Sequence, residues 1–96
     1  MQFLLTYSDD ANETLDRLET ENTRKNKKVL KALALMETNI RHPGLHSHKY
    51  DGYTGKGGEE VFEAYVENHT PGAYRIYWHY GPEREVITIL AITPHP

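Results

Sequence analysis

Three of the chain's 6 histidines fall in one stretch, HPGLHSHKY, residues 42 to 50, where a lysine and a tyrosine follow directly. Imidazole ionises near ~6.5, so histidine can give or take a proton at neutral pH, and it can also hold zinc. A metal would use His46 and His48 on an H-x-H spacing, with His42 nearby. That spacing serves a metal best on a strand, where alternate residues share a side. Here it sits between Pro43-Gly44 and a glycine-rich run. The stretch reads as a polar, basic connection rather than a metal cage, and we expect no resident metal or cofactor.

A second set of residues points to proton transfer without a metal. Cutting RNA through its own 2′-hydroxyl needs a base for that proton, an acid for the leaving 5′ oxygen, and a cation to steady the phosphorane. His79, His95, His48 and Glu63 are the candidate proton carriers, and Arg75 or Lys49 the candidate cation. Spacing alone does not select among them. Arg75 stands in YRIYW (74–78), among tyrosines and the chain's tryptophan. Aromatic faces beside a guanidinium suit an unstacked base and a phosphate. The competing reading of Arg75 is a cross-strand pair with Glu63 or Glu67, which share its expected side. GKGG (55–58) lacks the G-x-x-x-x-G-K-[ST] pattern of a nucleotide-hydrolase loop, and no G-x-S-x-G is present.

Charge divides the chain into blocks beneath a net of −3. Residues 1–23 set Arg17 against six acids, a net of −5. Residues 24–56 set eight Lys/Arg against Glu37 and Asp51, a net of +6, and residues 57–96 return to −4 with Arg75 and Arg84 against six acids. The basic block contains the histidine stretch, and it favours a polyanion or an acidic partner. The chain has 0 cysteines, which suits a reducing, cytoplasmic setting. No apolar run approaches the ~20 residues of a membrane span, and MQFLLTYSDD turns acidic too early for a secretion signal.

Periodicity supplies the elements that must position these side chains, within a single domain over 1–96. QFLLTY (2–7) predicts a buried strand. Ser8 or Asp10 caps a helix whose stripe is Ala11, Leu15 and Leu18. Glu21-Asn22-Thr23 breaks it, with Thr23 as the next cap, and Val29, Leu33, Met36 and Ile40 make a second stripe that ends at Pro43-Gly44. KYDGYTGKGGEE (49–60) reads as a mobile glycine-rich connection. VFEAYVE (61–67) and AYRIYWHY (73–80) alternate apolar and polar, separated by a type II turn at His69-Thr70-Pro71-Gly72, and EVITILAI (85–92) reads as a central strand. The fold class is α+β, β-α-α-β-β-β, with the helical hairpin on one face of a small, mainly antiparallel sheet. The other face is expected to stay partly open, lined by Glu63, Tyr65, Arg75, Tyr77 and His79, with residues 42–60 along its rim. There His46, His48, Lys49 and Tyr50 can meet a nucleic-acid backbone or a protein partner, with Tyr65 and Tyr77 as further RNA-binding candidates.

In this order of elements the chain resembles the RelE/ParE superfamily, the toxins of bacterial type II toxin–antitoxin pairs. The resemblance rests on the opening strand, the helical hairpin with a basic second helix, H-P-G-L at 42–45, YRIYW at 74–78, and the β-branched last strand. It implies a cognate antitoxin partner, with a homodimer as one assembly. It also implies a ribosome-dependent, metal-free messenger-RNA endoribonuclease in which Arg75 contacts phosphate and His95, in TPHP, is the catalytic histidine. The alternatives it carries are a ParE-like toxin that binds DNA gyrase, and a non-catalytic binding module. The chain departs from the pattern where some members place two lysines before the arginine, since Glu63 and Tyr65 stand there. It departs again at Pro96, where one branch ends on tyrosine, and at Pro43-Gly44, where that branch carries a glutamate.

Overall fold

The computed structural model describes residues 2–68 and 70–95. The chain runs β1 (Leu4–Tyr7), α1 (Asp9–Glu21), α2 (Thr23–Thr38), a short 3-10 turn (Pro43–Leu45), β2 (His48–Thr54), β3 (Glu60–Tyr65), β4 (Tyr74–Tyr80) and β5 (Val86–Pro94). The sheet order is β1-β5-β4-β3-β2, with β1 parallel to β5 and every other pair antiparallel. Both helices pack on one face, so the expected α+β architecture is the one observed.

Helix boundaries follow side-chain capping. Ser8, rather than Asp10, caps α1: its hydroxyl accepts from Ala11 N–H at 3.0 Å and donates to the Leu90 carbonyl at 2.6 Å. Asp9 and Asp10 fill the first turn, where the helix dipole favours negative charge. Asn22, rather than Thr23, caps α2 by accepting from Lys25 N–H at 3.1 Å. Past α2, His42 Nδ1 accepts from Gly44 N–H at 2.9 Å, so this histidine caps the 3-10 turn. Ala11, Leu18, Val29, Leu33 and Met36 bury the helical stripes against Leu5, Ala64, Ile76, Trp78, Ile87, Ile89 and Ile92 of the sheet.

One strand was not legible as such. Residues 48–54, all but the first within the supposed mobile connection at 49–60, form β2 and pair with β3 through His48 opposite Glu63 and Thr54 opposite Glu60. β2 is an edge strand, exposed along almost its whole length, and its Lys, Asp and Gly residues are those edges use to discourage further pairing. The β3–β4 turn closes through Ala73 N–H donating to the Thr70 carbonyl at 2.9 Å, with Gly72 at φ 70°, as a type II turn requires. His69 and Pro96 lie outside the described residues.

Candidate functional site

β3 and β4 are paired so that Glu63 lies opposite Tyr77 and Tyr65 opposite Arg75. β5 brings Ala91 opposite Tyr77 and Thr93 opposite Arg75. Residues opposite each other across antiparallel strands share a face, so these side chains lie together on the side away from the helices.

That face is not open. Glu63, Arg75, Tyr77 and His79 are 4%, 6%, 5% and 6% exposed. β2 covers them. Its register shifts between Lys49 and Thr54, and both Tyr50 and Tyr53 lie against the Tyr77 ring, at 4.9 and 6.1 Å between centroids. His46 and His48 cover Tyr65 at 5.0 and 5.8 Å.

At the centre is the Glu63 carboxylate. Oε1 lies 2.8 Å from His48 Nε2, and Oε2 accepts from the Tyr77 hydroxyl at 2.9 Å. His48 Nδ1 lies 2.8 Å from the His46 carbonyl, which can only accept, so Nδ1 is the donor there and Nε2 is the nitrogen that faces Glu63. The His48 side chain is 47% exposed against 6% for Glu63, so the imidazole is the network's outlet to solvent. A carbonyl-oriented imidazole backed by a buried carboxylate is an acid–base unit.

Arg75 faces inward, which corrects the expectation of a guanidinium free to grip phosphate. Nη1 donates to the Glu67 carbonyl at 2.7 Å and the Tyr74 carbonyl at 3.2 Å. The guanidinium lies 3.7 Å over the Tyr65 ring, within the range of a cation–π contact. Nε is buried 3.9 Å from Glu63 Oε2, too far for a hydrogen bond, so the cross-strand reading survives as an ion pair of charge rather than of geometry. The Glu67 carboxylate belongs to α2: Lys25 and Lys28 both donate to it. Burial alone would raise that carboxyl, but the two ammonium groups hold it below its ordinary value.

The remaining candidates do not converge here. His79 is four residues along β4 from Arg75, ~13 Å at strand spacing. Its Nδ1 lies 2.8 Å from the Tyr80 carbonyl, and its ring lines a separate cavity of about 510 Å3 with Asp9, Tyr53, Lys56 and Glu59. His95 is exposed beyond β5, its N–H donating to the Ala73 carbonyl at 2.7 Å. The register puts it on the Arg75 face with ~8 Å between backbones, but ~20 Å from His48 across three strand spacings. His48 and His95 therefore cannot flank one phosphate. Lys49 is half-exposed and paired with Glu60 at 3.0 Å, which raises its ammonium above the ordinary value. Among the described residues, no group of three or more His, Asp or Glu is placed to hold a metal ion. Sequence reasoning missed Tyr53 as a covering residue, because a tyrosine in a glycine-rich run carries no period.

Burial first, and then Glu63, push the Tyr77 phenol well above its usual 10.0. An unfolded tyrosine loses its proton near ~10 while the folded one keeps it, so the native state binds more protons and stability falls as pH rises past that point. Tyr77→Phe should therefore flatten the fall in unfolding free energy between about pH 9 and 11 in a urea titration. Tyr7, raised by burial and by Glu37, keeps part of the slope in the variant. Equal slopes in both proteins would show that Tyr77 titrates freely.

No protein-family model and no curated protein matches the chain. Solved structures do. The archaeal RelE of a RelE–RelB complex from Pyrococcus horikoshii OT3 aligns at TM-score 0.66 and 16% identity over 98% of this chain and 96% of that one. A YoeB/ParE toxin from Agrobacterium tumefaciens aligns at TM-score 0.72 and 6% identity over 98% and 100%. The E. coli DinJ–YafQ toxin–antitoxin complex aligns at TM-score 0.69 and 14% identity over 99% and 94%. The chain has the fold of the RelE/ParE toxins from end to end.

Proposed function

We propose that the chain belongs to the RelE/ParE superfamily as the toxin of a type II toxin–antitoxin pair, and that it cleaves messenger RNA at the ribosome by metal-free acid–base chemistry. The observation that carries the reading is the whole-length fold shared with toxins solved beside their antitoxins. No helix is long and apolar enough to cross a membrane.

The chemistry is drawn from the two imidazoles over Tyr65. His46 takes the 2′-hydroxyl proton, the 2′ oxygen attacks phosphorus, the bond to the 5′ oxygen breaks, and His48 delivers a proton to that oxygen. Glu63 holds His48 by its Nε2 until substrate displaces it. The products are a 2′,3′-cyclic phosphate and a 5′-hydroxyl. Arg75 is a positioning residue in this scheme: it fixes Tyr65, on which both imidazoles rest.

The burial of Arg75 and Glu63 favours a second reading, a toxin that acts by binding alone, as a ParE-like gyrase partner or another non-catalytic module. Induced expression in a bacterium separates the two. On the first reading growth stops, messages are cut, and His48→Gln restores growth. Arrest that persists in His48→Gln, with intact messages, supports the second. Expression with no effect on growth would contradict both.

A further inference from the structure

Between the end of α2, the 3-10 turn and the β3–β4 sheet lies a cavity of about 340 Å3 that the acid–base network borders. Its wall is aromatic. Phe62 and Trp78 stack with centroids 4.8 Å apart and 22° between planes, and Tyr80 stands edge-on to both. Trp78 is 1% exposed, and its indole N–H has no acceptor within the described residues. The accessible part of the wall is therefore the Phe62 ring, backed by Trp78, with Tyr80 beside it. Arg41 stands at the mouth; it is exposed, and its guanidinium forms no ion pair or hydrogen bond among the described residues. His46, Ser47 and His48 complete the rim, and among the described residues no carboxylate lines the space.

We infer that this cavity binds a single nucleotide, with its base against the Phe62–Trp78 wall and its phosphate at Arg41 and His46. The volume is at the small end of the ~300–1,000 Å3 of ligand pockets. Aromatic walls accept any base by stacking, and an unengaged guanidinium matches phosphate with paired donors. A simple acidic group would satisfy Arg41 but leave the aromatic wall uncovered, whereas a purely apolar ligand would leave Arg41 unanswered. Only the naming of RNA as the nucleotide's source rests on the function proposed above. A nucleotide seated here would lie beside His48 and direct the flanking phosphate toward it.

Trp78 is the chain's 1 tryptophan, so its fluorescence reports the cavity directly. Titration with AMP or UMP should quench or shift that emission, while inorganic phosphate alone leaves it unchanged. Arg41→Gln, at an exposed position that leaves the fold intact by circular dichroism, should weaken AMP binding about tenfold and adenosine binding hardly at all. A single-stranded trinucleotide binding about tenfold tighter than AMP identifies RNA as the source; equal affinities identify a free nucleotide, and both support the site. An emission unmoved by AMP and UMP up to roughly 10 mM overturns the inference, as does a response that Arg41→Gln leaves untouched. Nucleotide binding without message cleavage counts against the proposed function alone; cleavage without nucleotide binding counts against this site alone.

Discussion

Glu63→Ala should lower the free energy of unfolding by about 3–5 kcal/mol, the range seen when one partner of a buried charged pair is removed. Glu63 is 4% exposed, and its carboxylate is the acceptor for Tyr77 and the partner of His48. It is also the nearest negative charge to Arg75 Nε, at 3.9 Å. Without it, the buried guanidinium stays in the interior with two carbonyl oxygens and the Tyr65 ring but no counter-charge from Glu63. Glu63→Gln keeps the shape and one acceptor oxygen for Tyr77 but loses the charge, and should cost about 1–3 kcal/mol. For a domain of this size each kcal/mol is worth about 4–8 °C, so the alanine variant should melt at least about 12 °C lower. Guanidinium unfolding measures both. If both variants stay within about 0.5 kcal/mol of wild type, Glu63 is solvated and the network does not hold the sheet face closed.

The largest functional effect is expected at His48. His48→Gln should reduce message cleavage by about 10²–10⁴-fold, the usual contribution of a positioned acid or base. Glutamine can still hydrogen-bond Glu63 but cannot deliver a proton, so the fold should keep its stability to within about 1 kcal/mol, which urea unfolding checks. His95→Ala should leave cleavage within about threefold, because ~20 Å separates its backbone from that of His48. The reverse pattern, with His95→Ala inactive and His48→Gln active, would move the chemistry to the Arg75 end of the sheet and restore to His95 the role that the family resemblance implies.

β3 and β4 could be read because their two faces differ in chemistry. Phe62, Ala64, Ile76 and Trp78 alternate with Glu63, Tyr65, Arg75 and Tyr77 because the helices press on the first set while the second set meets polar partners, and an apolar face against a polar one is what writes a period of two. The helical stripes were legible for the same reason. β2 was not, since an edge strand exposed along both sides has nothing to alternate. Missing β2 carried a further cost: the residues that share the face and the cross-strand relation of Arg75 to Glu63 were foreseen, but Tyr50 and Tyr53 were not known to lie over Tyr77. A partly open surface was therefore expected where a closed one stands. The histidine stretch divides by local geometry that spacing does not encode. His42 caps a turn, His46 takes φ 48°, and only His48 meets a carboxylate.

The account stands most directly on the chemistry of the cut ends. A message incubated with the protein in a reconstituted translation reaction should yield upstream fragments ending in a 2′,3′-cyclic phosphate and downstream fragments beginning with a 5′-hydroxyl, as attack by the neighbouring 2′ oxygen demands. Fragments ending in a free 3′-hydroxyl, or a message left whole while translation stops, would contradict it.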